Sequence, residues 1–464
     1  MDSEFFDLFG FEPEDIKKEL PRIEKAFDIV GIRDEDTERA KAKINKYFDV
    51  ELLGMRKVMG LWLKEMVDMV LAKEEGKKVI YVSYPPIPQI VAALALTSDD
   101  VYCASPDIVL SNTLNLMFDM INPVLETAEQ NGLAPGTAFC SYLQTRLGAI
   151  VKGIIPKPDL LIPSCFLCDL TPACDQLLGE LYDIPVAYID NLIDEKGEGW
   201  PQEINPRKIK YFSTQMREAM DIYCKVIGRQ LPGSEVTDAV IFAERTHVYA
   251  SEIHQMRVSD PLPLSENDFF LALSMGTMAR GINEGPEALS ALVDGLRSRV
   301  AAGKGVTEKG APRVMFSMIP HDPSILATIN ELGLAIGPTS GGGRRMERPE
   351  HPPNMEIWED IALSHMRSRG ANYSSLAYIN QLKESVRDAN VEGIILWRHY
   401  SCRQYSIFPI KAKEVIEEEL GVPVLLLEGD YCDFRSYTSQ QMRTRLETFA
   451  EMVKNNKSAR ERTK

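Results

Sequence analysis

Eight cysteines occur in this chain, and three stretches set them where a ligand-binding turn belongs. They are Gly136–Thr–Ala–Phe–Cys140–Ser, Ser164–Cys–Phe–Leu–Cys168–Asp–Leu–Thr–Pro–Ala–Cys174 and Arg398–His–Tyr–Ser–Cys402–Arg–Gln–Tyr405. Cys140 opens a helix over Tyr142–Gly153, and Cys168 follows a strand over Leu160–Pro163. Cys174 falls in the first turn of a helix introduced by Thr171–Pro172, an N-cap and a favoured first position. Cys402 follows a strand over Gly393–Trp397, and Cys432 follows one over Pro423–Leu427. A helix N-terminus favours thiolate over thiol. Three or four convergent thiolates are what an iron–sulfur cluster requires. Structural cysteines, by contrast, should scatter through strands and helix faces. Cys103, ending a strand, and Cys224, mid-helix among Ile222, Val226 and Ile227, read that way.

Two other uses of the thiols fit less well. Cys165-x-x-Cys168 is half of a four-thiolate zinc site with no second pair to complete it. A thioredoxin-like pair should open its helix at once, and Asp169–Leu170–Thr171–Pro172 delays it. His399 reads as an ordinary polar loop position. The dense charges of Glu428–Gly–Asp430–Tyr–Cys–Asp433–Phe–Arg435 read as an ion-pair network, with substrate binding as the alternative. Gly341–Gly–Gly–Arg344–Arg345 is either a flexible basic loop or a phosphate contact. Neither a full Walker A loop nor a G-x-G-x-x-G after a strand is present, which argues against the two common routes to ATP and NAD.

The elements that must position these residues follow from length and pattern. A chain of 464 residues, 44% apolar, has room for about two or three domains and needs no disulfide staples. The start MDSEFFDLFG lacks a basic, cleavable leader, and runs such as Ile90–Leu96 are too short to cross a bilayer. The expected setting is a reducing cytoplasm, where clustered cysteine means metal or catalysis. A net charge of −16 argues against nucleic acid as partner.

Residues 1–77 read as an N-terminal helical region, with a broad apolar face over Glu51–Ala72 and a stop at Gly76. Short strands then alternate with helices. Val79–Ser83, Leu160–Pro163 and Val186–Ile189 belong to a first α/β domain over residues 78–264, closed by helices at about Pro206–Arg229 and Ser234–Ser259. Arg313–Met318, Leu334–Ile336, Gly393–Trp397 and Pro423–Leu427 belong to a second over residues 265–464, with helices at Ser324–Leu332, Leu376–Asp388, Ala412–Leu420 and Ser439–Val453 and a frayed tail from Lys454. The pattern predicts two doubly wound parallel-sheet (Rossmann- or flavodoxin-like) domains facing a central cleft. Ligands of such sheets bind beyond the strand carboxyl ends.

Several of these segments carry a resemblance. Cys140–Ser–Tyr–Leu, Pro156–Lys–Pro–Asp–Leu–Leu–Ile–Pro and Cys168–Asp–Leu resemble the first half of the 2-hydroxyacyl-CoA dehydratase and benzoyl-CoA reductase family. Tyr400–Ser–Cys402–Arg–Gln–Tyr405–Ser, Gly421–Val–Pro–Val–Leu–Leu–Leu–Glu428–Gly–Asp430 and Gln440–Gln–Met–Arg–Thr–Arg445–Leu–Glu–Thr–Phe are similar to its C-terminal signature. The resemblance implies a subunit that pairs with a related second subunit or a second copy of itself. It implies an iron–sulfur cluster, [4Fe-4S] in type, held by Cys140, Cys168 and Cys402. Cys165, Cys174 and Cys432 are further thiols, and they leave a double-cubane cluster open. It also implies a separate ATP-hydrolysing activator that donates one electron, and an acyl-CoA substrate. Adding that electron to a 2-hydroxyacyl thioester gives a ketyl radical anion able to expel the hydroxyl, after which the β-hydrogen becomes far more acidic. The same apparatus serves reduction of an aromatic acyl-CoA, and a subunit that only relays electrons is the non-catalytic alternative. No residue stands out as the general base.

Overall fold

The computed structural model describes residues 1–133, 139–165, 168–190, 205–277, 282–337, 354–369 and 375–462. It is an α/β protein with two parallel sheets and many helices. The first sheet has the order β2-β1-β3, with β1 Lys78–Val82, β2 Val101–Ala104 and β3 Leu160–Ile162. Its registers pair Ile80 with Cys103 and Val82 with Ile162. The second has the order β5-β4-β6-β7, from β4 Arg313–Ser317, β5 Ala335–Ile336, β6 Gly393–His399 and β7 Val424–Gly429. The stretch expected as a strand over Val186–Ile189 makes only isolated parallel bridges, Leu161 to Val186 and Ser164 to Ile189.

Strands buried on both faces should show side chains alternating between two apolar layers. They do. Val79 and Tyr81 enter one core with the N-terminal helices, while Ile80 and Val82 enter another with Phe212, Met216 and Trp358. In the second sheet Val314, Phe316, Ile395 and Trp397 pack against Leu446 and Phe449, and Met315, Ile394 and Leu396 against Leu382 and Ile416. The N-terminal helices share their core with helices Glu266–Thr277 and Gly285–Ala301, through Phe269, Met275, Leu289 and Leu292. Helix Ile357–Arg369 packs on the first sheet's layer through Ile361 and Met366.

Three helix boundaries differ from expectation. The helix expected from Pro172 spans Leu170–Tyr182 with Asp169 at its N-cap, and the Thr171 hydroxyl donates instead to the Tyr84 carbonyl at 2.6 Å. The helix expected from Ala412 spans Arg403–Leu420, running through Pro409. The last helix, expected to fray from Lys454, spans Ser439–Arg462. No helix among the described residues is long and apolar enough to cross a membrane.

Candidate functional site

Each of the three principal thiols stands at a helix start. Cys140 is the N-cap of helix Ser141–Val151, with extended backbone (φ −80°, ψ 165°), and its carbonyl accepts from Gln144 N–H at 3.1 Å. Cys402 is the N-cap of helix Arg403–Leu420, and its N–H returns to the His399 carbonyl at 3.2 Å. Cys168 precedes Asp169, the N-cap of helix Leu170–Tyr182. All three are partly exposed, unlike Cys103, Cys174 and Cys432, which are buried.

Residues adjoining these cysteines are bonded to one another. Beside Cys140, the Ser141 hydroxyl donates to Asp430 Oδ1 at 3.0 Å, and the Ser141 N–H reaches both carboxylate oxygens at 3.3–3.4 Å. Beside Cys402, the Ser401 hydroxyl donates to Asp430 Oδ2 at 2.8 Å. Arg403, next to Cys402 on its other side, meets the Asp169 carboxylate, next to Cys168, at 2.5 Å. The three thiol-bearing turns are therefore drawn together in pairs. Burial holds the Cys140 thiol well above its ordinary value, and Asp430, Cys168 and Cys402 add to the rise. Cys140 is thus protonated near neutrality.

The remaining sulfurs lie differently. Cys165 shares the turn with Cys168 (Phe166 and Leu167 lie outside the described residues); its N–H donates to the Ile189 carbonyl, and burial, Asp190 and Cys168 push its thiol up to about 11. Cys174 sits against the Arg146 guanidinium; burial lifts it to about 12 even though Arg146 opposes the rise. Cys432 places its sulfur 3.3 Å from Ser111 Oγ and 3.9 Å from His321 Nδ1, with burial pushing the thiol to about 12. Cys174 and Cys432 thus have polar partners of their own inside the core. Cys103 and Cys224 belong to the layer under the first sheet, as expected. Gly136 to Ala138 and the Gly341–Arg345 cluster fall outside the described residues.

Around the thiols the wall is aromatic. Tyr431 stacks face to face on His399 (3.4 Å, 17°), and Tyr84 stacks on Tyr142 (4.5 Å, 24°). Burial raises the Tyr431 phenol well above its ordinary value, with Tyr84, Cys402, Tyr405 and Cys140 contributing, so it stays protonated. His399 is not the polar loop residue expected. It ends β6 fully buried, its Nε2 donating at 3.1 Å to the carbonyl of Met318, a non-glycine residue at φ 61°.

Sequence reasoning missed two features here. Asp430 stands apart from the charged network expected of its segment: Arg398 pairs with Glu428 and Arg435 with Asp433, whereas Asp430 takes only hydroxyl and N–H donors among the described residues. The other is a buried polar cluster. His321, beyond β4, contacts the hydroxyls of Ser111 and Tyr142, with Nε2 2.8 Å from the latter; Ser111 begins the π-helix Ser111–Asn115. Burial lowers His321 to about 3, so it is neutral. Both side chains of this Ser–His pair are buried. The available signal was the serine beside each cysteine, Cys140–Ser141 and Ser401–Cys402.

No group of three or more His, Cys, Asp or Glu among the described residues could hold a single metal ion. The thiolates of an iron–sulfur cluster bind different irons, so ligands of such a cluster would not need to meet around one atom. A cleft of about 670 Å³ opens beside Tyr400, lined by Glu428, Tyr437, Gln440 and Arg445 among others, and none of the cysteines lines it.

Comparison with known proteins bears on the same residues. The family model described as 2-hydroxyglutaryl-CoA dehydratase, D-component, matches residues 107–453, a stretch that includes every cysteine except Cys103. The (R)-2-hydroxyisocaproyl-CoA dehydratase alpha subunit of Clostridioides difficile is 22% identical, the match covering 72% of this chain and 81% of that protein. The alpha subunit of lactoyl-CoA dehydratase from Anaerotignum propionicum is 23% identical, covering 73% and 83%. A benzoyl-CoA reductase subunit from Thauera aromatica is 22% identical, covering 75% and 87%.

Proposed function

Because this chain belongs to the family of the 2-hydroxyglutaryl-CoA dehydratase D-component, we propose that it is the iron–sulfur subunit of an ATP-activated, radical-type 2-hydroxyacyl-CoA dehydratase. The net reaction is loss of water from a 2-hydroxyacyl-CoA to give the enoyl-CoA. Cys140, Cys168 and Cys402 would hold a [4Fe-4S] cluster at the carboxyl ends of two doubly wound units. When bound, such a cluster would supply one-electron transfer and, with three protein thiolates, one iron open to act as a Lewis acid.

The observation that carries this reading is the bonding of Ser141 and Ser401, beside Cys140 and Cys402, to the one carboxylate of Asp430; the exposed Asp169–Arg403 contact sets the turn of Cys168 next to that of Cys402. Three helix N-termini would offset part of the negative charge that thiolates bring. Tyr84, Tyr142 and Tyr431 would wall the site with rings, limit water, and leave protonated phenols as donors. Cys165, beside Cys168, is the nearest substitute ligand; Cys174 and Cys432, bound to Arg146 and Ser111, are assigned to the core. A related second subunit or a second copy, a separate ATP-dependent electron donor and a cytoplasmic setting complete the proposal. The match to a benzoyl-CoA reductase subunit, also 22% identical, supports a second reading, reduction of an aromatic acyl-CoA.

Purification without oxygen and counting of iron and sulfide tests this directly. About four of each per chain supports the assignment, about eight moves it to a double-cubane reductase, and none overturns it. With the activator and partner present, enoyl-CoA formed from a 2-hydroxyacyl-CoA separates dehydratase from ring reductase. No spectral response to any acyl-CoA would reduce the chain to an electron relay.

A further inference from the structure

Buried carboxylates ordinarily sit beside a cation, because an isolated charge is costly to remove from water. Asp430 is 2% exposed, and no cation pairs with it among the described residues. Its oxygens instead receive four donors, three from two other segments and one from its own neighbour: the Ser141 hydroxyl at 3.0 Å, the Ser141 N–H, the Ser401 hydroxyl at 2.8 Å and the Tyr431 N–H at 2.6 Å. Ser141 is held on its other side too, accepting the Cys432 N–H at 2.9 Å. Both serines are joined by one peptide bond to a candidate ligand, Ser141 to Cys140 and Ser401 to Cys402. Any shift of either serine therefore moves a thiol. The parallel tie from Asp169 to Arg403 is about 60% exposed at both ends and is screened by water, so it fixes little.

We propose that Asp430 is a positioning residue, a buried staple that sets the spacing of Cys140 and Cys402 before any metal arrives. It acts through its two serines and touches neither iron nor substrate. This inference rests on the cluster reading. Groups that orient metal ligands in this way typically govern retention by about 10–100-fold.

The test uses full-length protein purified without oxygen, as wild type and as Asp430→Asn, Asp430→Ala, Ser401→Ala and Glu428→Gln. Iron and sulfide per chain, the rate of iron release to a chelator, and the electron paramagnetic resonance spectrum of the reduced cluster are recorded, together with thermal melting. Asp430→Ala should release iron about tenfold faster or more and show an altered spectrum. Asp430→Asn should lie between it and wild type, Ser401→Ala should move the same way by less, and Glu428→Gln should match wild type. If Asp430→Ala does not fold, Ser401→Ala decides, because it removes one hydroxyl and leaves the carboxylate in place. Wild-type release rates and spectra in every folded Asp430 and Ser401 variant overturn the inference alone. An iron-free wild type overturns the cluster reading, and the staple with it.

Discussion

Helix Ser141–Val151 meets a buried carboxylate site at its start and another at its midpoint, and the two are built on opposite plans. At Arg146 the guanidinium lies between Asp107, at 2.8 and 3.0 Å, and Asp175, at 2.6 Å, and all three side chains are fully enclosed. The Ser83 hydroxyl and the Tyr84 N–H complete the shell. Burial works against the Arg146 charge, yet the two carboxylates outweigh it and raise its pKa; Asp175 is pushed only to about 6 by burial and stays ionised near neutrality. At Ser141 the carboxylate of Asp430 meets no cation among the described residues and accepts from hydroxyls and N–H groups. The first arrangement sets one positive charge between two negative ones inside one unit. The second uses neutral donors and ties segments 289 residues apart.

Removing the cation should break that contrast most forcefully. Arg146→Met strands two buried carboxylates and should cost about 3–5 kcal/mol, read by chemical denaturation. Adding Asp107→Asn and Asp175→Asn should restore much of the loss; no recovery would mean the site is held by shape instead of charge. The sulfur side gives the next largest effect. Cys402→Ala should lose its iron while Cys174→Ala and Cys224→Ala keep theirs, and equal iron in all three would defeat the ligand assignment.

A third carboxylate sharpens the comparison through pH. Glu65 is half-buried, accepts only from the Tyr102 hydroxyl at 2.7 Å among the described residues, and is pushed to about 8 by desolvation and Asp68. An unfolded glutamate titrates near 4.3, so between about 4.3 and 8 the folded chain holds a proton that the unfolded chain lacks. That contribution is complete below the lower value and is lost as pH rises through about 8. Glu65→Gln should flatten the fall in melting temperature from pH 6 to 9; an unchanged slope would show that Glu65 is ionised. Thr171→Val should have the smallest effect, about 1 kcal/mol for one hydroxyl-to-carbonyl bond, with iron content unchanged.

Much of the scaffold was legible because short β-branched runs bounded by Pro and Gly mark buried parallel strands with little ambiguity. β1, β4, β6 and β7 fall within about two residues of expectation at each end. The helix after Cys402 was not. Pro409 lacks an N–H and argues against a helix interior, a cost of about 3 kcal/mol. Phe408, Ala412 and Ile416 bury against β6 and β7 and carry the helix through it. Local spacing likewise suggested Thr171 as a cap, and a tertiary partner, the Tyr84 carbonyl, claimed its hydroxyl. Asp430 was read from its charged neighbours, and nothing nearby in sequence announces donors at Ser141 and Ser401. Periodicity reports what a residue packs against, but it is silent on which distant polar group faces it.

Helix Ile357–Arg369 comes from the half of the chain that builds the second sheet, yet it packs beneath the first, against helix Pro206–Ile227. Helices Glu266–Thr277 and Gly285–Ala301 likewise join the N-terminal core. The polypeptide is laced like a boot, crossing over and back, so the halves are not beads on a string. A cut in the Asp260–Ser265 segment would take three supporting helices from the amino-terminal fragment, and neither fragment made alone would keep its wall intact.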